Sequence, residues 1–380
     1  MKEKIYYWGP FLDNVATVKA IVNSAKSINE YSSKYSATLI DATGEWMYFK
    51  ENYNEKNLNF RALNKNYYKS LPRFSFLKSR SSYLIIFIRS FFPLKRLLKK
   101  DNPKFLIIHL IVSLPMVLYL IFNFKTKLCL RISGKPKLNF FRKFLWKVSS
   151  KNIHHVFCPT VETKEELINK NIFKRNIFVL EDPIIEPRKI ALLKKEKLEP
   201  EFKKNNIILI GRHTKQKNFK LFIEAFLEIE KDYPDILVYI FGEGELKKNL
   251  ELMIKKNKLE KKVFLMNYKK NIFKYLYNSK YFVLSSLWED PGFVLIEAAF
   301  CNTSIISSNC PSGPKEFLKN GSGGFLFENN SVSSLIKNLR TALNTNSEGL
   351  HQKKYIAKFE SLKYTSFRHY KTIVNFLDNK

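Results

Sequence analysis

Two glutamates, Glu289 and Glu297, lie shortly after a short apolar run, Tyr281–Leu284. The run predicts a buried strand. Asp290 followed by Pro291 predicts the start of a helix, because Asp caps helix N-termini and Pro suits the first helical position. The two carboxylates would then flank an exposed helix N-terminus, which favours anions. Such an arrangement could hold sugar hydroxyls on either side of a diphosphate.

Two cations form a second set of candidate residues. Arg212 follows the apolar run 207–210, which predicts a strand, and Lys217 precedes an amphipathic helix predicted at 219–229. Arg offers a planar fork of donors and Lys a point charge, so both side chains could bind one anion from these positions. A solvated surface position for Lys217 is the alternative interpretation.

These features resemble the retaining glycosyltransferases of the GT-B fold, family 4 type, also called glycosyl transferases group 1. The resemblance rests on the spacing of Glu289 and Glu297, on the Gly-Arg-x4-Lys element that begins at Gly211, and on the turns at 313–316 and 321–325. Segments at 7–11 and 131–134 look like transferases of bacterial surface-polysaccharide assembly.

The resemblance implies roles for these residues. Arg212 and Lys217 would stabilise the leaving diphosphate, Glu289 would contact the transferred sugar, and these three are the expected catalytic residues. Glu297 is the expected ribose ligand. The donor-binding set implied in this way is Gly211, Arg212, Lys217, Gly242, Gly244, Glu289, Gly292, Phe293 and Glu297.

The same resemblance implies a hexosyl transfer with retention of configuration, in which the leaving phosphate takes the acceptor's proton. The donor would be a nucleotide-diphosphate sugar. No Asp-x-Asp motif stands where a metal-dependent transferase would need one. We therefore expect no metal and no other cofactor.

Candidates on the acceptor side come from the first half of the chain. In the resembling family, the loop after the first strand faces the acceptor, which indicates Gly9, Asp13 and Asn14; an ordinary turn is the alternative. The family often has a histidine at a later strand end, but the segment 131–134 has none. His109, after an earlier apolar run, is the candidate substitute, and a purely structural histidine is the alternative.

Apolar runs alternate with helical patterns in both halves, and 380 residues are too many for a single small core. We predict an α/β fold of GT-B architecture, with two Rossmann-like doubly wound domains facing a central cleft. The predicted parts are an acceptor-side domain at 1–186, a lysine-rich linker at 187–205, a nucleotide-sugar domain at 206–358, and a C-terminal helix at 359–380 that packs back on the first domain.

The chain carries a formal net charge of +32, with 66 basic residues and 34 acidic ones. This excess suits an anionic membrane or substrate, and codon bias toward Lys, Asn and Ile is another cause. The sequence lacks zinc-finger spacing and RNA-binding aromatic signatures, so we expect no nucleic-acid partner. Its four cysteines form no metal-binding pattern and are predicted to be buried thiols in a reducing compartment.

Two segments, 71–100 and 139–148, mix aromatic and aliphatic residues with Arg and Lys. Helices of this kind can lie in a membrane interface, and a core helix with a solvated basic edge is the alternative for the first. The apolar segment 105–122 is at the short limit of a membrane span. We predict instead a strand at 105–108 and a helix that starts near Pro115.

No signal-peptide pattern precedes the first strand, so we expect a cytoplasmic protein, peripheral on the inner face of the cytoplasmic membrane. The acceptor would be a polysaccharide or a lipid-linked oligosaccharide. Two other functions fit the same sequence: a nucleotide-sugar epimerase of the same fold, and a non-catalytic basic binding or assembly subunit.

Overall fold

The computed structural model describes residues 2–13, 16–48, 57–72, 76–134, 136, 138–204 and 206–378. The chain divides into two compact units. The first comprises Met1–Ile184 and Ser366–Lys380, and the second comprises Ile185–Thr365.

The first unit contains a seven-stranded parallel sheet in the order β3-β2-β1-β4-β5-β6-β7. Its strands are β1 Glu3–Trp8, β2 Tyr35–Asp41, β3 Asn59–Ala62, β4 Phe105–Ile108, β5 Lys127–Arg131, β6 Ile153–Cys158 and β7 Ile177–Val179. The helices between them are α1 Ala16–Tyr31, α2 Glu45–Tyr48, α3 Phe76–Asp101, α4 Ser113–Ile121, α5 Phe140–Ser149 and α6 Val161–Asn169. The strand order reverses between β1 and β4, which is where doubly wound sheets bind ligands.

The second unit contains a six-stranded parallel sheet in the order β10-β9-β8-β11-β12-β13. Its strands are β8 Asn206–Ile210, β9 Leu237–Phe241, β10 Val263–Met266, β11 Tyr281–Leu284, β12 Ser304–Ser308 and β13 Phe325–Phe327. Its helices are α7 Pro187–Leu193, α8 Phe219–Leu227, α9 Lys247–Lys256, α10 Phe273–Tyr277, α11 Phe293–Phe300, α12 Pro314–Phe317, α13 Val332–Asn344 and α14 Ser347–Ser361. Here the order reverses between β8 and β11.

The prediction of two Rossmann-like doubly wound units is confirmed. Most strands are buried on both faces, so they read as continuous apolar runs in the sequence. The apolar segment 105–122 forms β4 and α4, as predicted. In the described part of the chain, no helix is both long and apolar enough to cross a bilayer.

The end of the chain differs from the single predicted helix. Helix α14 ends at Ser361 in the second unit, and a separate helix, α15 Ser366–Asp378, belongs to the first unit. α15 packs against α1, and its Ile373 and Leu377 lie in the same buried core as Val18 and Ile21 of α1. Residues 187–205, which we predicted as a linker, include α7 and belong to the second unit.

Candidate functional site

The loops after β8 and β9 form the floor of the candidate site in the second unit. The amide of Gly211 donates to the carbonyl of Phe241 over 3.0 Å. Gly242 has a φ of +143°, and a side chain there would overlap the carbonyl of Gly211. Gly244 has a φ of +155°, and its Cβ would lie 2.6 Å from the carbonyl oxygen of His213. Glycine at both positions therefore lets the two loops pack backbone against backbone.

Lys217 and Glu289 meet above this floor. The ammonium of Lys217 donates a hydrogen bond to Oε1 of Glu289, and the two side chains are only 16% and 7% exposed. The hydroxyl of Ser286 donates to the same oxygen over 2.5 Å. Lys217 is thus not a solvated surface residue in this structure, and the pair lies at the strand ends where the sheet order reverses.

The two loops that carry this pair are joined by their backbones. The amide of Leu287 donates to the carbonyl of Gln216 over 2.8 Å. The hydroxyl of Ser285 donates to the carbonyl of Lys217, also over 2.8 Å. The amide of Glu289 donates to the carbonyl of Pro311 over 2.7 Å. These hydrogen bonds fix the backbone of the loop that carries Glu289, and so they fix the position from which its carboxylate projects.

The helix that follows begins later than predicted. Its cap is Gly292, and its first residue is Phe293, so the prediction that Asp290 and Pro291 start the helix is wrong. The reason is that Gly292 has a φ of +94°, which lies outside the right-handed helical region. A Cβ on Gly292 would lie 3.5 Å from Cβ and Cγ of Glu289.

The remaining donor-side candidates differ in exposure. Glu297 lies in α11 and is buried. Phe293 is half-buried. Arg212 is exposed next to Gly211, and no ion pair joins it to any described residue. The structure therefore brings Gly211, Lys217, Glu289 and Gly292 into contact and leaves the guanidinium of Arg212 facing solvent.

Gly9 and His109 are neighbours in the first unit, at the ends of β1 and β4. A Cβ on Gly9 would lie 2.6 Å from Cδ1 of Ile21 and 3.6 Å from Cβ of His109. His109 is buried, and its Nδ1 lies 3.3 Å from the hydroxyl of Ser133. Burial, and then the charge of Arg131, hold the pKa of His109 well below its usual value, so the imidazole is neutral.

The other two acceptor-side candidates are Asp13 and Asn14. Asp13 is exposed after β1. Asn14 lies outside the described residues.

An ion pair that we did not predict lies beside His109. Nη2 of Arg131 donates to Oδ1 of Asp182 over 2.7 Å, and the two side chains are only 2% and 9% exposed. Arg131 ends β5, in the segment where the resemblance led us to look for a histidine. The sequence gives no signal for this pair, because its members are far apart in the chain and meet only through the sheet.

The cysteine side chains are shielded from solvent in this fold. All four cysteines are buried and none forms a disulfide, as predicted. Burial raises the pKa of the thiols of Cys129, Cys301 and Cys310 to about 12, so these thiols are unreactive at neutral pH. The described residues contain no cluster of three or more His, Cys, Asp or Glu side chains that could hold a metal ion.

Sequence comparison finds a family model that matches most of the second unit. Residues 192–359 match the sequence model of the family described as Glycosyl transferases group 1. The chain is 36% identical over 169 residues to an uncharacterised glycosyltransferase of Methanocaldococcus jannaschii, covering 42% of this chain and 41% of that protein.

A second relative has a described activity. The chain is 33% identical over 137 residues to the N-acetylgalactosamine-N,N'-diacetylbacillosaminyl-diphospho-undecaprenol 4-alpha-N-acetylgalactosaminyltransferase of Campylobacter jejuni. This match covers 36% of the chain and 37% of the relative. The chain thus spans about two fifths of the length of these relatives.

The fold comparison covers the whole chain. A crystal structure of a mutant of S. aureus TarM, in complex with fondaparinux, alpha-GlcNAc-glycerol and UDP, superposes with a TM-score of 0.74. The two chains are 15% identical, with 99% of this chain and 100% of TarM covered. Residues 192–359 are therefore similar to the glycosyl transferases group 1 family, and the chain shares the GT-B architecture of two Rossmann-like units.

Proposed function

We propose that the protein is a glycosyltransferase that moves a hexose from a nucleotide-diphosphate sugar to a glycan or lipid-linked acceptor, with retention of configuration. The observation that carries this proposal is the contact between Lys217 and Glu289 at the point where the strand order of the second sheet reverses. A cation and an acid share that point, which suits a diphosphate bonded to a sugar.

The chemistry follows from the charges that develop when the donor reacts. The bond between the anomeric carbon and the diphosphate oxygen breaks, which leaves negative charge on the diphosphate. Lys217, which is mostly buried and held by Glu289, would stabilise that charge without reorganising, and Arg212 would add a mobile guanidinium from solvent. The acceptor oxygen attacks the same face, and its proton passes to the leaving phosphate oxygen.

The two acids would serve the sugars. Oε1 of Glu289 is occupied by Lys217 and Ser286, so Oε2 is the oxygen that would accept a hydroxyl of the transferred sugar. Glycine at position 292 keeps space beside this carboxylate, because any side chain there would lie against it. Glu297 would accept hydroxyls of the ribose, and no metal would be required.

We propose a uridine diphosphate sugar as the donor, because the TarM structure of the same fold contains UDP. The diphosphate would lie across the Gly211 and Gly242 floor, next to Lys217. A thermal-shift comparison of UDP-, GDP-, ADP- and CMP-linked sugars tests the base. The largest stabilisation is expected for the uridine series, in wild type and not in Lys217→Ala.

The acceptor would be presented at a membrane surface. In the first unit, α4 packs against both α3 and α5. The two outer helices expose apolar side chains that are 58–80% accessible, namely Leu84, Ile88, Phe92, Phe140, Phe141 and Phe144. Basic residues accompany both sets, as at the interface of an anionic bilayer.

This membrane contact would place the protein peripherally on the inner face of the cytoplasmic membrane. The C. jejuni relative is named for an acceptor on diphospho-undecaprenol, a lipid carrier. Co-sedimentation with anionic vesicles tests the contact: Phe140→Ser combined with Phe144→Ser should release most of the protein, whereas neutral vesicles should bind little. Equal binding by wild type and variant would contradict this assignment of the surface.

The central experiment measures what happens to the nucleotide-sugar donor with and without an acceptor. Incubation with a nucleotide sugar and no acceptor should release nucleoside diphosphate slowly, and an acceptor glycan should accelerate the release and yield a product with the donor's anomeric configuration by NMR. Conversion of the free nucleotide sugar to an epimer would identify an epimerase instead. No reaction with any donor would indicate a binding subunit.

A further inference from the structure

The first unit has a polar depression of about 400 Å³, and neither His109 nor Gly9 lines it. Asn64, Lys65, Asn66 and Tyr67 line it from the loop after β3, and Arg89 lines it from α3. Because β3 is parallel to the rest of the sheet, this loop is at the carboxyl edge, where doubly wound sheets bind ligands.

The lining loop is fixed to the neighbouring loop after β2. The side-chain amide of Asn64 donates to the carbonyl of Ala42 over 3.0 Å, and the backbone amide of Tyr67 donates to the carbonyl of Thr43 over 2.8 Å. The loop 42–44 is fixed in turn by a carboxylate, because Glu45 accepts hydrogen bonds from the amide and the hydroxyl of Thr43 over 2.6 and 2.7 Å. The wall of the depression is therefore preorganised.

The acids near this wall are not available to a ligand. Asp41 and Glu45 are both buried, and Glu45 is fully enclosed. Burial and the neighbouring charge of Asp41 raise the pKa of Glu45 to about 8, so the Glu45 carboxyl is mostly protonated at neutral pH.

The rim, in contrast, is cationic. Arg89 and Lys65 are exposed, and neither forms an ion pair with a residue in the described ranges. The guanidinium carbon of Arg89 lies 4.8 Å from the ring centroid of Tyr67, which restricts where its donors point. A guanidinium fork over an aromatic ring, with an ammonium lining the same depression, matches the oxygens of a phosphate group.

We propose that this depression binds a phosphate group of the acceptor, through Arg89 and Lys65, with Asn66 and Tyr67 beside the attached sugar or chain. This inference rests on the proposed transferase function. The phosphate has two possible sources, a polyprenyl diphosphate carrier or a phosphodiester polymer, and both present the same anionic oxygens.

The test compares Arg89→Gln, which removes the charge, with Arg89→Lys, which keeps it. Arg96→Gln is the matched control, because Arg96 is an exposed residue of the same helix that does not line the depression. Three water-soluble acceptors carry the same glycan on a short polyprenyl diphosphate, on a glycerol phosphate oligomer, and on a phosphate-free alkyl chain. Water-soluble acceptors remove any dependence on membrane binding.

We expect Arg89→Gln to raise the KM for a phosphate-bearing acceptor about tenfold or more, as loss of a charged hydrogen bond does. Arg89→Lys should lie between, and Arg96→Gln should match wild type. The KM for the alkyl glycoside should not change. Whichever phosphate-bearing acceptor responds identifies the source. An equal rise for the phosphate-free acceptor, or no rise at all, would overturn the proposal.

A binding measurement separates this proposal from the transferase function. Calorimetric titration with inorganic pyrophosphate, with UDP in excess to fill the donor site, should show weaker binding to Arg89→Gln than to Arg96→Gln. Donor hydrolysis without acceptor should be the same in both variants. If wild type showed no hydrolysis or transfer, the proposed function would fail, and the titration would still decide the depression. Equal pyrophosphate binding by the two variants would overturn it.

Discussion

The two units place different chemistry at the same topological position. Where the strand order reverses in the second sheet, Lys217 and Glu289 form a partly accessible pair. At the corresponding position of the first sheet, His109 is neutral and the nearby charges, Arg131 and Asp182, are buried against each other. The same doubly wound topology thus presents an ion pair beside the proposed donor site in one unit, and a neutral histidine beside a buried ion pair in the other. The difference is set by a few residues at strand ends.

The buried pair of the first unit offers the largest expected effect on this comparison. Arg131→Met leaves the carboxylate of Asp182 buried without its partner, which should lower the free energy of unfolding of the first unit by about 3–5 kcal/mol. Urea denaturation followed by circular dichroism measures it. The double variant Arg131→Met with Asp182→Leu should recover most of the loss. If the double variant were no more stable than the single one, the pair would not be the cause.

The pair of the second unit should matter for turnover. Lys217→Ala removes the cation next to the proposed diphosphate, and the loss of one such group costs about 10²–10³-fold in kcat. Initial rates of nucleoside diphosphate release measure it, with melting curves to check folding. Lys215→Ala is the control, since Lys215 is exposed in the same loop. Wild-type rates in Lys217→Ala would show that this cation does not assist turnover, and they would contradict the functional difference between the two units.

A smaller effect concerns the pH dependence of the first unit. The pKa of Glu45 is raised to about 8 in the folded state by burial and by Asp41, so between its ordinary value and pH 8 the folded state binds more protons than the unfolded state. Stability due to this group is therefore fully present at low pH and is lost as pH rises, by at most about 1.4 kcal/mol per pH unit. Glu45→Gln removes the titration.

The comparison of wild type with Glu45→Gln isolates this group from the histidines, which titrate with the opposite sign. Burial lowers the pKa of His155 and His369 to about 4, so their contribution to stability grows as pH rises to neutrality. Urea unfolding at pH 5, 6, 7 and 8 should show the advantage of wild type shrinking with pH. A constant difference would show that Glu45 does not titrate in this range.

The sequence predicts the fold well because most of its strands are buried on both faces. The runs Phe105–Ile108 and Tyr281–Leu284 are continuous apolar segments with the bounds that we predicted. Strand β3 escaped prediction because it is a four-residue edge strand whose residues are exposed. It has no apolar pattern to find.

Only part of the candidate site could be predicted from the sequence. Lys217 and Glu289 were assigned to one site from the sequence because the resemblance gives both a role at the donor, but their direct contact was not predicted. The hydrogen bond from Ser286 to Glu289 was not predicted, because it depends on the conformation of the loop after β11. The contact between Arg89 and Tyr67 could not be predicted from the sequence. It arises only because the fold brings α3 against the loop after the edge strand β3. The catalytic and binding roles of these residues stay predictions.

Helix α15 has a consequence for how the protein is made. The chain leaves the first unit after Ile184 and returns to it at Ser366, and the two crossing segments are joined where Ile185 donates its amide to the carbonyl of Tyr364 over 3.0 Å. The core under α1 is completed by Ile373 and Leu377. During synthesis the first unit therefore keeps apolar surface uncovered until α15 has left the ribosome.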